Sequence, residues 1–100
     1  MNRVRNRVEA KRKKLIEFCQ QHHIRRLALF GSSLGDDFGP DSDVDMLVIF
    51  EPGHTPGLAF FTMQDELSAL LDETVDLNTP QFLSPHFRDK VLAEAEVIYE

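Results

Sequence analysis

The segment from Leu27 to Phe50 sets the terms on which this chain folds. Two apolar runs, Leu27–Phe30 and Met46–Phe50, stand either side of a loop of small and acidic residues. Gly31-Ser32 closes the first run, and Asp43 and Asp45 open the second with Val44 between them. Side chains alternate between faces along a strand, so Asp43 and Asp45 are predicted to project side by side. Two carboxylates held that close repel unless a proton or a cation lies between them. A hard divalent ion such as Mg²⁺ meets that need, because it takes oxygen ligands and keeps positions open for phosphates.

The flanking sequence reads as alternating helices and short strands. Residues 4–22 form an amphipathic pattern, with Val4, Val8, Leu15 and Cys19 on one stripe, Ile16 and Phe18 widening it, and Arg3, Arg7, Lys11 and Lys14 on other faces. His22 and His23 mark the end of this helix, where cations suit the dipole and adjacent side chains cannot share a metal. A strand follows at 25–30. Ser32-Ser33-Leu34 is expected to make one helical turn, before the breakers Gly35, Gly39 and Pro40. Val44–Phe50 is a near-continuous apolar strand suited to the centre of a sheet. After the turn cluster Glu51–Gly57, which holds an exposed His54, a second helix is predicted over 58–72 with Phe60, Met63, Leu67, Leu70 and Leu71 facing the core. Thr74–Asn78 is a third strand, with Asp76 between Val75 and Leu77. Ser84-Pro85 starts a last helix, whose stripe is Phe87, Val91 and Ala95 and whose His86 is a surface residue, and Val97–Tyr99 closes as a strand. The order α-β-β-α-β-α-β implies an α+β, two-layer domain in which helices cover a small mixed sheet.

Length and charge narrow the function. One hundred residues make one domain, 1–100, with 42% hydrophobic and 28% charged residues. No apolar run approaches a membrane span and none follows the basic N-terminus, so neither a membrane segment nor a signal peptide is expected. A lone Cys19 suits the reducing cytoplasm. Residues 1–30 hold nine Lys/Arg against two Glu, whereas 31–100 hold two Lys/Arg against fifteen Asp/Glu. That acidic body disfavours direct nucleic-acid binding. The basic first helix is a solvated face or a docking surface for a protein partner.

Competing uses of the aspartates fail on spacing. Asp41-x-Asp43-x-Asp45 imitates an EF-hand loop, but Met46 and Pro52 stand where that loop needs Gly and Glu. No Cys/His spacing supports structural zinc, and neither a P-loop nor a dinucleotide fingerprint is present. A glycosidase pair would place its carboxylates across a cleft. Metal-assisted phosphoryl or nucleotidyl transfer remains. Two ions about 3.5–4 Å apart can be bridged by paired aspartates. The Gly31-Ser32 turn would hold the terminal phosphates on exposed backbone N–H groups. Asp76 would complete a metal shell and accept the proton of the acceptor hydroxyl.

Gly31-Ser32, ten residues, then Asp43-Val44-Asp45 resembles the motif of the DNA polymerase beta-like nucleotidyltransferase superfamily. Within it the chain looks like the minimal nucleotidyltransferases, the MntA-type antitoxin half of HEPN/MNT toxin–antitoxin pairs. The resemblance runs from the first helix through Ser42–Val48 and Val75–Leu77 to Leu83-Ser84-Pro85. It implies the nucleotidyltransferase fold. It also implies Asp43, Asp45 and Asp76 as catalytic Mg²⁺ ligands, two ions, and a nucleotide site at Gly31, Ser32, Ser33 and Ser42. ATP would be the substrate, and a tyrosine of a partner HEPN ribonuclease toxin would receive AMP within a hetero-oligomer. The chain departs from the pattern at Leu34-Gly35, where relatives often carry a basic residue, and its loop is rich in acid (Asp36, Asp37, Asp41). These departures leave a binding-only antitoxin, and a small-molecule nucleotidyltransferase subunit of the aminoglycoside type, as alternatives.

Overall fold

The computed structural model describes residues 3–34 and 42–100. The first helical pattern becomes two segments, α1 (Arg3–Ala10) and α2 (Arg12–Gln21), in place of the single helix predicted. The hydrogen-bond ladder survives the junction: Lys11 N–H donates to the carbonyls of Arg7 (3.0 Å) and Val8 (3.2 Å), and Leu15 N–H donates to that of Lys11 (2.9 Å). Lys11 itself, at φ −112° and ψ 15°, bends the axis. The bend brings Val4 and Val8 on one side and Leu15, Phe18 and Cys19 on the other into one core, while Ile16 stays outside. Burial pushes the Cys19 thiol up to about 12, which leaves it unreactive at neutral pH.

Strand β1 (Ile24–Leu29), a 3-10 turn at Gly31–Leu34 and strand β2 (Val44–Phe50) follow. Then come α3 (Ala59–Leu71), β3 (Val75–Asn78), a 3-10 turn at Pro80–Phe82, α4 (Pro85–Glu94) and β4 (Glu96–Tyr99). The sheet order is β3-β2-β1-β4. β1 runs antiparallel to both β2 and β4, whereas β2 and β3 are parallel, so the sheet is mixed as expected. Parallel neighbours require a crossover, and α3 supplies it. Phe60, Met63, Leu67 and Leu71 of α3 enter the core with Leu70 packed against it, which is the predicted stripe.

The last helix departs from expectation. Ser84 caps it, its Oγ accepting the His86 N–H at 3.4 Å with Pro85 in the first turn, yet none of its residues is buried and Phe87 is 63% exposed. Polar contacts hold it instead: Arg88 donates from Nε to the Pro80 carbonyl (2.8 Å) and from Nη2 to that of Leu83 (3.2 Å). The histidines also differ. His22 and His23 diverge as predicted, His22 meeting Glu66 at 3.1 Å. His23, in the left-handed region at φ 57°, stacks on His54 with ring centroids 4.0 Å apart. His54 thus has a partner that no spacing in the sequence reveals.

The basic first helix is tied to the acidic remainder. Arg3 and Arg7 converge on Glu73 at 2.7 and 3.3 Å, Arg5 meets Glu96 at 2.7 Å, and Arg26 of β1 meets Glu100 at 3.0 Å. Arg12, at the start of α2, pairs with Glu9 of α1. Among the described residues no helix is long and apolar enough to cross a membrane.

Candidate active site

β2 carries the site at its start. Val44 and Met46 are wholly buried, so the opposite parity, Asp43 and Asp45, turns away from that core. Asp43 directly precedes the strand and is exposed, and Asp45 is half-buried within it. β3 repeats the pattern, with Val75 and Leu77 in the core and Asp76 exposed between them. In the parallel register Asp45 is paired with Asp76. Adjacent strands lie about 4.8 Å apart and paired residues leave the same face, so the two aspartates are neighbours there.

The backbone around Asp45 is held from two directions. Phe30 N–H donates to its carbonyl at 3.0 Å, and its own N–H donates to Ser33 Oγ at 2.8 Å. Ser33 is wholly buried in the 3-10 turn, so in this structure its hydroxyl serves the strand that bears the carboxylate. Gly31 stands at φ +63°, and a Cβ there would lie 2.5 Å from Asp45 Oδ2. Only a glycine lets the chain turn while passing this close to the carboxylate. Ser42, half-buried, lies one residue before Asp43. The Ser32 side chain lies outside the described residues, as do Gly35, Asp36, Asp37, Gly39, Pro40 and Asp41.

Two contributors escaped the sequence reading. Ser68 Oγ accepts the Val75 N–H at 3.0 Å, and Gln64 Oε1 accepts the Leu77 N–H at 2.9 Å. Their only trace in the sequence is a pair of polar residues four apart on a helix, which resembles any solvated face.

The ligand atoms suit a hard cation, since they are carboxylate oxygens alone and Gly31 keeps the backbone close to that of Asp45. Among the described residues no three His, Cys, Asp or Glu side chains close on a common point. The aspartates are therefore neighbours on a face, not a closed cage. A separate groove of about 460 Å³, lined by Val48, Phe50, Phe60 and Phe82 among others, opens by the far end of β2 and contains none of them.

Residues 13–100 match the family model described as polymerase beta, nucleotidyltransferase. MJ0435 of Methanocaldococcus jannaschii, named provisionally as a protein adenylyltransferase, is 31% identical over 84 residues, which is 84% of this chain and 89% of that protein. The protein adenylyltransferase MntA of Thermococcus cleftensis is 36% identical over 84 residues, 83% of this chain and 81% of its own. A solved structure described provisionally as a minimal nucleotidyltransferase superposes with a TM-score of 0.76 at 34% identity, covering 95% of this chain and 94% of that one. Two more distant structures share the fold. One is a toxin–antitoxin with AMP-PNP, with a TM-score of 0.70 at 21% identity, covering 87% of this chain and 71% of that one. The other is a tri-AMPylated Shewanella oneidensis HEPN toxin in complex with MNT antitoxin, with a TM-score of 0.65 at 20% identity, covering 91% and 71%. With its family model matched along most of its length, and Asp45, Asp76 and Gly31 gathered on one face, the chain belongs to the polymerase beta-type nucleotidyltransferases.

Proposed function

We propose that this chain is a cytoplasmic antitoxin that transfers AMP from ATP to a tyrosine of a HEPN ribonuclease toxin. The observation that carries the reading is the juxtaposition of Asp45 with Asp76 across the parallel register, with Gly31 against Asp45. Asp43, Asp45 and Asp76 would hold two Mg²⁺ ions, which when bound neutralise phosphate charge and lower the pKa of the attacking hydroxyl. Gly31 and the turn after it would receive the triphosphate on backbone N–H groups, where no Cβ intervenes, with Ser42, next to Asp43 in sequence, as a further nucleotide contact. Asp76, exposed beside Asp45, would take the proton of the tyrosine hydroxyl. The tyrosine oxygen bonds to the α-phosphorus, the bond to the β-phosphate breaks, and diphosphate leaves.

Support for the acceptor comes from what the relatives are called: a protein adenylyltransferase, and an MNT antitoxin bound to an AMPylated HEPN toxin.

The test is transfer of label from ATP marked at the α-phosphate to a HEPN partner, with and without Mg²⁺. Asp43→Asn, Asp45→Asn and Asp76→Asn are each expected to reduce labelling to background. Labelling that persists in these variants would sink the catalytic assignment. Neutralisation of the toxin by variants that no longer label it would instead establish a binding-only antitoxin.

A further inference from the structure

Strand β3 is an edge of the sheet and has only four residues. β2 bonds it on one side, as where Val44 N–H donates to the Thr74 carbonyl at 2.7 Å. On its other side an edge strand ordinarily leaves its N–H groups to solvent. Here α3 takes them: Val75 donates to Ser68 Oγ (3.0 Å) and Leu77 to Gln64 Oε1 (2.9 Å). The Ser68 hydroxyl is held in place on its own helix, since it also donates to the Gln64 carbonyl at 2.9 Å. These two bonds fall on the residues immediately before and after Asp76. The adjoining face of α3 is locked into the core by Phe60, Met63, Leu67 and Leu71, so the helix is a fixed ruler against which the strand is set.

A one-residue slip of so short a strand would turn Asp76 inward and bring Val75 or Leu77 to the face it leaves. We propose that Gln64 and Ser68 are positioning residues for Asp76, fixing the strand so that its carboxylate stands level with Asp45. The proposal rests on the nucleotidyl-transfer reading above. Neither side chain touches the reacting atoms; both act through the β3 backbone.

The test compares Gln64→Leu and Ser68→Ala, which remove the acceptors, with Gln64→Glu and Ser68→Thr, which keep an oxygen in place. Three quantities are measured on the full chain: amide exchange at Val75 and Leu77, Mn²⁺ binding by calorimetry, and AMP transfer. Gln64→Leu is expected to speed exchange at Leu77, and Ser68→Ala at Val75. Each should weaken Mn²⁺ binding about tenfold, the usual effect of losing a group that orients a ligand. The AMP-transfer kcat should fall with little change in KM for ATP, and the oxygen-retaining variants should recover all three. Faster exchange with Mn²⁺ affinity and kcat at the wild-type level would overturn the proposal. If Gln64→Leu fails to fold, Ser68→Ala carries the same comparison alone. A wild-type chain that neither binds Mn²⁺ nor transfers AMP would overturn the underlying reading, an outcome told apart by requiring no variant at all.

Discussion

Gly31 is where backbone conformation and chemistry meet. Its φ of +63° costs any other residue about 1–2 kcal/mol, and the Cβ of an alanine would fall 2.5 Å from Asp45 Oδ2. The obstructed atom is the end of a side chain, so the fold can yield by turning the carboxylate away. With Asp45 in its proposed role, catalysis cannot yield in that manner, because a misplacement of about 1 Å costs on the order of a hundredfold in rate. Gly31→Ala is therefore expected to lose about 1–2 kcal/mol in thermal or urea unfolding while AMP transfer falls on the order of a hundredfold. A variant with wild-type transfer would show that Asp45 need not stay where it lies. The approach of the Gly31 turn to the start of β2 is legible in sequence because a glycine ends one apolar run and aspartates open the next. The buried state of Ser33, and its bond to the Asp45 N–H, are not, because a serine beside a phosphate and a serine beneath a strand are spelled alike.

Among the elements, the sequence places both α3 and α4, but periodicity names a buried face correctly only for α3, for one reason. A stripe of apolar residues reports which face of a helix could be buried, not whether the fold brings anything to cover it. Phe60, Met63, Leu67 and Leu71 meet the sheet, whereas Phe87 meets solvent and α4 is held by Arg88. The bend at Lys11 was equally invisible, since Ala10, Lys11 and Arg12 all favour helix and the axis turns to bring both segments onto one core. This ordering predicts an unusual mutational series. Phe87→Ala should change stability by no more than about 0.5 kcal/mol, as for an ordinary surface site. Arg88→Ala should cost about 1–2 kcal/mol, because two half-buried carbonyls lose a charged donor. Leu67→Ala, fully buried, should cost about 2–5 kcal/mol. Urea unfolding of the three variants measures the order, and a Phe87→Ala loss matching Leu67→Ala would mean that α4 packs more deeply than its exposure indicates.

For the molecule as a whole, the contrast between a basic first third and an acidic remainder resolves largely into an internal clasp. Arginines of α1 and β1 reach across the sequence to Glu73, Glu96 and Glu100, so much of the apparent docking surface is already engaged. The pairs are not equal. Glu73 is only 9% exposed and serves both Arg3 and Arg7, while Glu96 and Glu100 are 45% and 60% exposed. Exposed pairs contribute about 0–1 kcal/mol and are screened by salt. A carboxylate this buried and shared by two guanidiniums is worth more, and its neutralisation takes an anionic contact from both cations at once, although Arg7 keeps Asp72 at 3.4 Å. Glu73→Gln is expected to destabilise by about 1.5–3 kcal/mol, the range for hydrogen bonds to charged groups. Glu96→Gln and Glu100→Gln should cost no more than about 1 kcal/mol each. At about 1 M NaCl the screening length falls to about 3 Å, so the two small effects should vanish while most of the Glu73 effect persists. Thermal unfolding of the three variants at low and high salt decides the matter. A Glu73→Gln penalty that disappears with the other two would show that the clasp is a loose surface attraction, and would return the basic helix to the list of surfaces open to a partner.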